Sequence, residues 1–502
     1  MLQQSEPIAC PGLFYATSAQ DGIISRMRTP GGMLTSQQGS AVAHFAEQFG
    51  DGYIQITNRA NLQIRAVDMA PPPAVLTTLQ ALGLAAPIAS VDHIRNIMAS
   101  PTAGIDPQAL IDTRGLVKAL DDTIAQHAEF VGLPAKFSVG FDGGESVSVR
   151  DRLNDVWLVA TVCQQPGESQ PLPAYFRLFF NAGQGQELDT GILLQPEECV
   201  PMVVAIAQVY LAHVEHIGHT ATGKKPRLRQ VLAQQGVAWY LEQVLQSLPF
   251  TVRRQPEPMA RSSARMPRYH HIGLHPQRQP GFSYLGVVLP LGRLAAQQCR
   301  ELAHVAQVYG SATLRLTPWQ NILIPDVPDH HIPALYQAIA RLGLPVSATH
   351  PWSALVACAG NAGCSSSATN TTAHALGLAS YLAQRVPLDR PVNIHVSGCP
   401  KSCAQHHQSD IALLGITMQQ GDTSVEGYRV YVGTGDEALG RSLYPAVLAT
   451  ELPALLTRML QIYQDNRRTP DESFGAFANR YAIADLQQLF DQPTLSQLHT
   501  HV

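Results

Sequence analysis

Four of the eight cysteines in this 502-residue chain, Cys358, Cys364, Cys399 and Cys403, stand as Cys-x5-Cys and Cys-x3-Cys in one third of its length. Grouped thiols with such spacing point to a metal site rather than to a disulfide framework. Thiolates of this kind serve a [4Fe-4S] cluster when the loops between them are loose enough to wrap a compact cube. Ala359-Gly360-Asn361-Ala362-Gly363 and Pro400-Lys401-Ser402 have the small residues that such wrapping needs. A structural zinc site and four unrelated buried cysteines remain open at this point, although a gap of five residues is wide for zinc. Cys10, Cys163, Cys199 and Cys299 are scattered and read as small buried hydrophobes.

The elements that carry these cysteines are legible around them. Val392-Asn393-Ile394-His395-Val396 is a short β-type run that delivers the chain to Ser397-Gly398-Cys399, and residues 373–385 repeat apolar side chains at helical spacing. Residues 411–416 and 428–432 read as strands, and the chain from Pro445 onward as mostly helical. In the first half, residues 22–28 alternate like a strand, residues 34–49 follow a helical period ending at Gly50, and residues 53–57 and 62–67 are two further strands. Strands are also expected over 90–101, 136–141, 156–162 and 175–180, with helices over 107–130 and from Pro201 to about Leu248.

The strand, helix, strand, turn, strand module occurs twice. A constant offset of 260 residues aligns Pro30 with Pro290, Gly32 with Gly292, Gln37-Gln38 with Gln297-Gln298, Ala43-His44 with Ala303-His304, Gly50 with Gly310, Thr57 with Thr317 and Asn61 with Asn321, without a gap. A period this long means two large homologous halves rather than a solenoid. The expected organisation is a module over 11–75, a larger α/β domain over 76–250, a linker over 251–268, a second module over 269–345 and a second α/β domain over 346–502.

Composition narrows the classes of function. Hydrophobic residues make up 45% of the chain, charged residues 14%, and the net charge is −4, so the protein is globular and offers no basic field for a nucleic acid. The chain opens without a charged and then apolar leader, and no apolar run approaches the ~18 residues of a membrane span. These features predict a cytoplasmic protein with no membrane partner, where thiols stay reduced.

The run Ser397-Gly398-Cys399-x3-Cys403-x6-Asp410-Ile411-Ala412-Leu413 resembles the signature of the nitrite and sulfite reductase family, and Glu472-Ser473-Phe474-Gly475-Ala476-Phe477 resembles that family's ending. The resemblance implies an α+β fold of two homologous halves, each a ferredoxin-like half-module followed by a larger mixed domain. It also implies that Cys358, Cys364, Cys399 and Cys403 hold a [4Fe-4S] cluster, with Cys403 bridging to the iron of sirohaem. The family's substrate face is basic, and Arg59 in Thr57-Asn58-Arg59-Ala60-Asn61-Leu62-Gln63, Arg95 in Ile94-Arg95-Asn96-Ile97 and Lys136 in Leu133-Pro134-Ala135-Lys136-Phe137 match its motifs. A uroporphyrinoid macrocycle is rich in carboxylates, which arginine forks pair bidentately and lysine meets as a point charge. Arg26, Arg28 and Arg315 are weaker candidates for the same carboxylates.

Position 138 departs from the pattern, because the family's reductases place a second lysine where this chain has Ser138. On that ground the chain is expected to resemble the precorrin-3B synthase branch more closely, as do Cys10-Pro11-Gly12-Leu13-Phe14, Arg26-Met27-Arg28-Thr29-Pro30-Gly31-Gly32 and Leu314-Arg315-Leu316-Thr317-Pro318-Trp319. That branch implies dioxygen-dependent hydroxylation of precorrin-3A with lactone formation in aerobic cobalamin synthesis. It implies electrons relayed by the cluster and a mononuclear non-haem iron. His93, His270-His271, His395 and His406-His407 could serve such an iron, but none has the spacing of a facial triad and no ligand is assigned. The alternative is a sirohaem-dependent assimilatory nitrite or sulfite reductase. No Gly-x-Gly-x-x-Gly marks a nucleotide domain, so a separate donor, a reductase or ferredoxin or an NADH-derived source, is expected to supply electrons.

Overall fold

The structure is a computed structural model and describes residues 11–15, 17–162, 173–183, 186–217, 225–255 and 266–492. The chain forms two compact units, one made chiefly of 23–286 and 294–342, the other chiefly of 343–502. The duplicated modules therefore share one unit with the first α/β domain, while the second α/β domain stands as its own unit.

Each module has a sheet completed by its twin. The first sheet runs in the order Thr17–Ala19, Gly22–Met27, Leu62–Val67, Tyr53–Ile56 and then Arg293–Ala295. The second runs Gly273–Pro276, Phe282–Val287, Ile322–Pro328, Thr313–Leu316 and then Met33–Thr35. The exchange is reciprocal down to single bonds, since Ser36 N donates to Ala312 O and Ala296 N donates to Gly52 O, both at 2.8 Å. The helices Ser36–Phe49 and Ala296–Tyr309 pack together, and a methyl group on Gly39 would meet the Ala303 methyl at 3.2 Å. Gln38 and Gln298 each cap their own helix with one end, and each donates from Nε2 to Leu82 O or Leu342 O, positions that are again 260 apart.

Both α/β domains have the same strand logic. In the first, Ile97–Met98, Val139–Asp142 and Val156–Val162 pair in parallel, and Ala174–Gly183 and Gln186–Leu194 add antiparallel. In the second, Leu355–Ala357, Ile394–Ser397 and Ile411–Gln420 pair in parallel, and Thr423–Val432 and Arg441–Leu448 add antiparallel. The first core gathers Phe141, Phe176, Phe180, Leu158, Tyr210 and Tyr240, and the second gathers Ile394, Val396, Tyr428, Tyr463, Phe474 and Phe477.

Several expected elements differ. The strand expected over 90–101 is a 3-10 turn, Ala89–Ile94, followed by a two-residue strand, because buried Asp92 accepts from Ala86 N at 2.8 Å and curls the chain. The helix expected over 107–130 shortens to Arg114–Gln126. The helix expected from Pro201 is divided into Pro196–Ile217, Leu228–Gln235 and Val237–Ser247, the last two separated by Gly236 at φ 86°, a conformation that ends a helix. Pro196–Ile217 is long and apolar enough to cross a bilayer, but Met202, Ile206 and Tyr210 bury it in the core. The C-terminal region begins with strand Arg441–Leu448 before its helices. Within the expected linker, Arg253–Arg254 joins the edge of the first α/β sheet, and 256–265 lies outside the described residues.

Candidate functional site

The cysteine site is built by two parallel strands of the second α/β domain. Leu355–Ala357 and Ile394–Ser397 run side by side, with Ala357 opposite Val396, so both chains leave the same end of the sheet. Cys358 and Cys364 follow the first strand and Cys399 and Cys403 the second. Cys358 N donates to Val396 O at 3.1 Å, and Gly398 N donates to Cys358 Sγ at 3.2 Å, tying the loops together. The cradle admits no side chain at Gly398, where a Cβ would lie 1.7 Å from Ser367 Oγ. Gly360 has φ 68°, and its Cβ would sit 2.7 Å from Thr371 N.

All four are free thiols. Burial raises the pKa of Cys403, and the negative charges of Cys399, Cys358 and Cys364 raise it further, which is the electrostatic signature of converging sulfurs. Among the described residues, no three His, Cys, Asp or Glu side chains are grouped to hold one metal ion. Zinc bonds of ~2.3 Å would draw four thiolates to within roughly 4 Å of one another. A four-iron cube is held by four thiolates at separated corners, and this four-thiol donor set fits it. The same observation leaves a mononuclear non-haem iron without a ligand set. His271 gives Nε2 to Asn321 Oδ1 at 2.9 Å, and His395 lies in the sheet, fully buried.

The surroundings hold these loops. Glu426 accepts from Asn361 Nδ2 at 2.7 Å and from Asn370 N at 2.8 Å, one on each side of Cys364. Asp410 accepts from Asn393 N at 2.8 Å and from Gly475 N at 2.9 Å, which joins the cysteine-bearing strand to the C-terminal Phe474-Gly475 segment.

In the other unit the basic residues separate into anchored and exposed ones. Arg59 sits in a turn closed by Thr57 and donates to Leu153 O at 2.9 Å and Asn154 Oδ1 at 2.5 Å. Burial brings its pKa down to about 10, with Arg28, Arg227 and Arg152 adding to the fall and Asp155 opposing it. Lys136 is exposed in a turn ahead of the strand Val139–Asp142, so the strand expected over 136–141 begins three residues later. Arg95 is committed elsewhere: its Nε and Nη2 grip Asp121 at 2.7 and 2.9 Å, and Nη2 also donates to Gly83 O. Arg26 donates to Gln63 Oε1 at 2.6 Å, Arg28 is buried, and Arg315 is buried with Nη1 on Ala103 O. Arg315 thus lies in the core rather than on a strand face, and burial first, then Arg114, lowers its pKa to about 10.

Ser138 is buried, and its N and Oγ both donate to Asp155 Oδ2, at 3.1 and 3.2 Å. The same carboxylate accepts from Arg227 Nη2 at 2.9 and 3.1 Å, and that nitrogen also reaches Lys136 O at 3.3 Å. Arg227 and Asp155 were not singled out by sequence. Their only signal was an arginine in the polar stretch before the helix Leu228–Gln235, too common a feature to select.

Comparison with known proteins decides the family. The nitrite/sulfite reductase ferredoxin-like half domain matches residues 17–82 and 275–342, and the nitrite and sulphite reductase 4Fe-4S domain matches 90–252 and 352–494. The chain belongs to the nitrite and sulfite reductase family. It is 30% identical over 466 residues to ferredoxin–nitrite reductase of Synechococcus elongatus, covering 89% of this chain and 88% of that one. It is 31% identical over 431 residues to the chloroplastic ferredoxin–nitrite reductase of Zea mays, covering 84% and 75%. The fold matches the Mycobacterium tuberculosis NirA protein with a TM-score of 0.74 at 23% identity, over 92% of this chain and 84% of that one.

This family member is an oxidoreductase with a 4Fe-4S domain. The nitrite reductase relatives overturn the expectation of a precorrin-3B synthase, and with it the monooxygenase chemistry, the cobalamin pathway and precorrin-3A as substrate. That expectation rested on a charge missing at Ser138. The side chain there is turned inward to Asp155, and Arg227 brings a guanidinium to the same side of the strand.

Proposed function

We propose that the protein is a sirohaem-dependent nitrite reductase that takes electrons from a separate ferredoxin-type donor. The observation that supports this most is near-complete coverage of ferredoxin–nitrite reductases together with a four-thiol cradle. Cys358, Cys364, Cys399 and Cys403 would hold the cluster. When bound, the cluster and sirohaem supply single electrons and an iron on which the anion is reduced.

The chain's own residues supply charge and protons. Lys136, an exposed lysine, would meet an anion and donate protons, since reduction of nitrite consumes several. Arg59, held by Leu153 O and Asn154, offers a fixed positive charge to a macrocycle carboxylate or to the anion. Arg95 acts at a distance, bracing the 83–96 segment through Asp121.

The purified holoprotein is expected to show isobacteriochlorin Soret and red bands and to oxidise reduced ferredoxin or viologen only when nitrite is present. A cluster shoulder near ~400 nm without haem bands, and no nitrite-dependent oxidation, would sink the reading. Lys136→Met is expected to lower kcat at least tenfold while leaving the haem bands in place.

A further inference from the structure

We propose that Arg227 supplies the second cation of the anion face, taking over the charge that a basic residue at position 138 would provide. The inference rests on the nitrite reductase reading and deepens it by naming a residue that sets anion affinity.

Three observations lead there. Arg227 approaches the Lys136 turn from a distant part of the chain, with Nη2 at 3.3 Å from Lys136 O and 2.9 Å from Asp155 Oδ1. Asp155 is the carboxylate that Ser138 meets with both its N and its Oγ. Lys136 stands in the turn closed by Phe137 N donating to Pro134 O at 2.7 Å, two residues ahead of buried Ser138 and before the strand Val139–Asp142. A long side chain at 138 would reach toward the place that the guanidinium occupies.

Charge accounting makes the substitution necessary. Asp155 is buried at 3% exposure, whereas the Arg227 side chain is 28% exposed. The carboxylate faces inward and the cation partly outward. With Arg227 present, Arg59, Arg227 and Lys136 outweigh Asp155 and leave a positive surface for an anion. Without it, the buried Asp155 carboxylate would lack its guanidinium partner and the face would be less positive toward an anion. Arg227 therefore does two things: it cancels Asp155 and it contributes field of its own. A lysine at 138 would pair with the same carboxylate, which explains why a chain that has Arg227 can carry serine there.

The test uses the holoprotein with its cluster and haem. Nitrite binding is read from the perturbation of the haem bands, and KM and kcat are measured with a viologen donor. Arg227→Met and Arg227→Gln are expected to raise the nitrite Kd and KM at least tenfold, a change of ~1.4 kcal/mol, with kcat within threefold of the parent. Arg227→Lys is expected to stay within threefold in Kd. The double variant Ser138→Lys/Arg227→Met is expected to recover most of the lost affinity, a rescue that a merely structural role would not give. The inference is overturned if Arg227→Gln binds nitrite like the parent, or if Ser138→Lys fails to restore binding in the Arg227→Met background. Should Arg227→Met lose its cofactors, Arg227→Gln and Arg227→Lys decide, since the two differ in charge while both keep a donor for Asp155. A parent protein that neither binds nor reduces nitrite fails the nitrite reductase reading and this inference together, whereas an active parent with unaffected variants fails this inference alone.

Discussion

The Glu426 carboxylate ties down the loop on both sides of Cys364. Its two oxygens hold Asn361 and Asn370 on either side of Cys364, and its Oε2 lies 3.7 Å from His374 Nε2, whose Nδ1 meets Tyr428 OH at 2.9 Å. Removing the carboxylate leaves the Asn361 amide and the Asn370 N–H without their acceptor, so the loop loses the restraint that keeps Cys358 and Cys364 oriented. Glu426→Ala is expected to lose its cluster several times faster than the parent when exposed to a chelator, followed as decay of the visible cluster absorption. Glu426→Gln keeps one acceptor oxygen and is expected to fall between the two; equal decay rates in all three proteins would refute the clamp. The four cysteines drew notice in the sequence because their short spacing is that expected of metal ligands. Glu426, Asp155 and Arg227 did not, because Glu426 meets Asn370 across 56 residues and Arg227 meets Asp155 across 72, and a single sequence does not reveal such contacts.

At the scale of elements, the duplication reaches single hydrogen bonds. In the first module, Thr57 N donates to Asn61 O, Thr57 Oγ1 accepts from Arg59 N and Asn61 N, and Ala60 stands at φ 55°. In the second, Thr317 N donates to Asn321 O, Thr317 Oγ1 accepts from Trp319 N and Asn321 N, and Gln320 stands at φ 61°. One copy presents Arg59 and the other Trp319, which lies against His271 with ring centroids 4.7 Å apart. The same turn thus serves a charge in one module and packing in the other. Thr317→Val strands buried N–H groups, each costing roughly 1–3 kcal/mol, and is expected to lower the melting temperature with no change in nitrite KM. Thr57→Val is expected to raise KM as well, because it frees the turn that aims Arg59; calorimetry and steady-state kinetics on both variants separate the effects. The repeat was readable because it preserves turn chemistry at a fixed offset. The exchanged strands Met33–Thr35 and Arg293–Ala295 were not, since three residues cannot establish a period and their partners belong to the other module. Likewise the 260-residue offset located the two halves, but it did not reveal that both modules fold into one unit with the first α/β domain.

For the whole molecule, buried histidines are expected to add to its sensitivity to acid. Burial lowers His93, His271 and His395 each to about 4, with Arg28 and Lys225 adding to the fall at His93, and His406 at His395. A histidine whose folded pKa lies below its unfolded value near 6.5 is protonated more readily in the unfolded chain. The stability it contributes is complete above pH ~6.5 and is lost as the pH falls toward 4. In the unit containing His93 and His271, Glu145 opposes this trend. Burial raises it to about 8, helped by Asp142, so its contribution is present at low pH and is lost as the pH rises from ~4.3 to 8. His395 lies in the other unit, 0% exposed, with neither ring nitrogen hydrogen-bonded. Its drop from 6.5 to about 4 corresponds to roughly 3 kcal/mol at acid pH. His395→Leu fills the same space, between Val356 and Ala412 on the neighbouring strands, without a group that must be protonated. The variant is expected to match or exceed the parent at pH 7.5 and to unfold at higher urea at pH 5, so that the gap between the two proteins widens as the pH falls. Urea titrations at pH 7.5, 6 and 5 measure that gap directly. A gap that stays constant across the three would mean that His395 is not what makes this domain sensitive to acid.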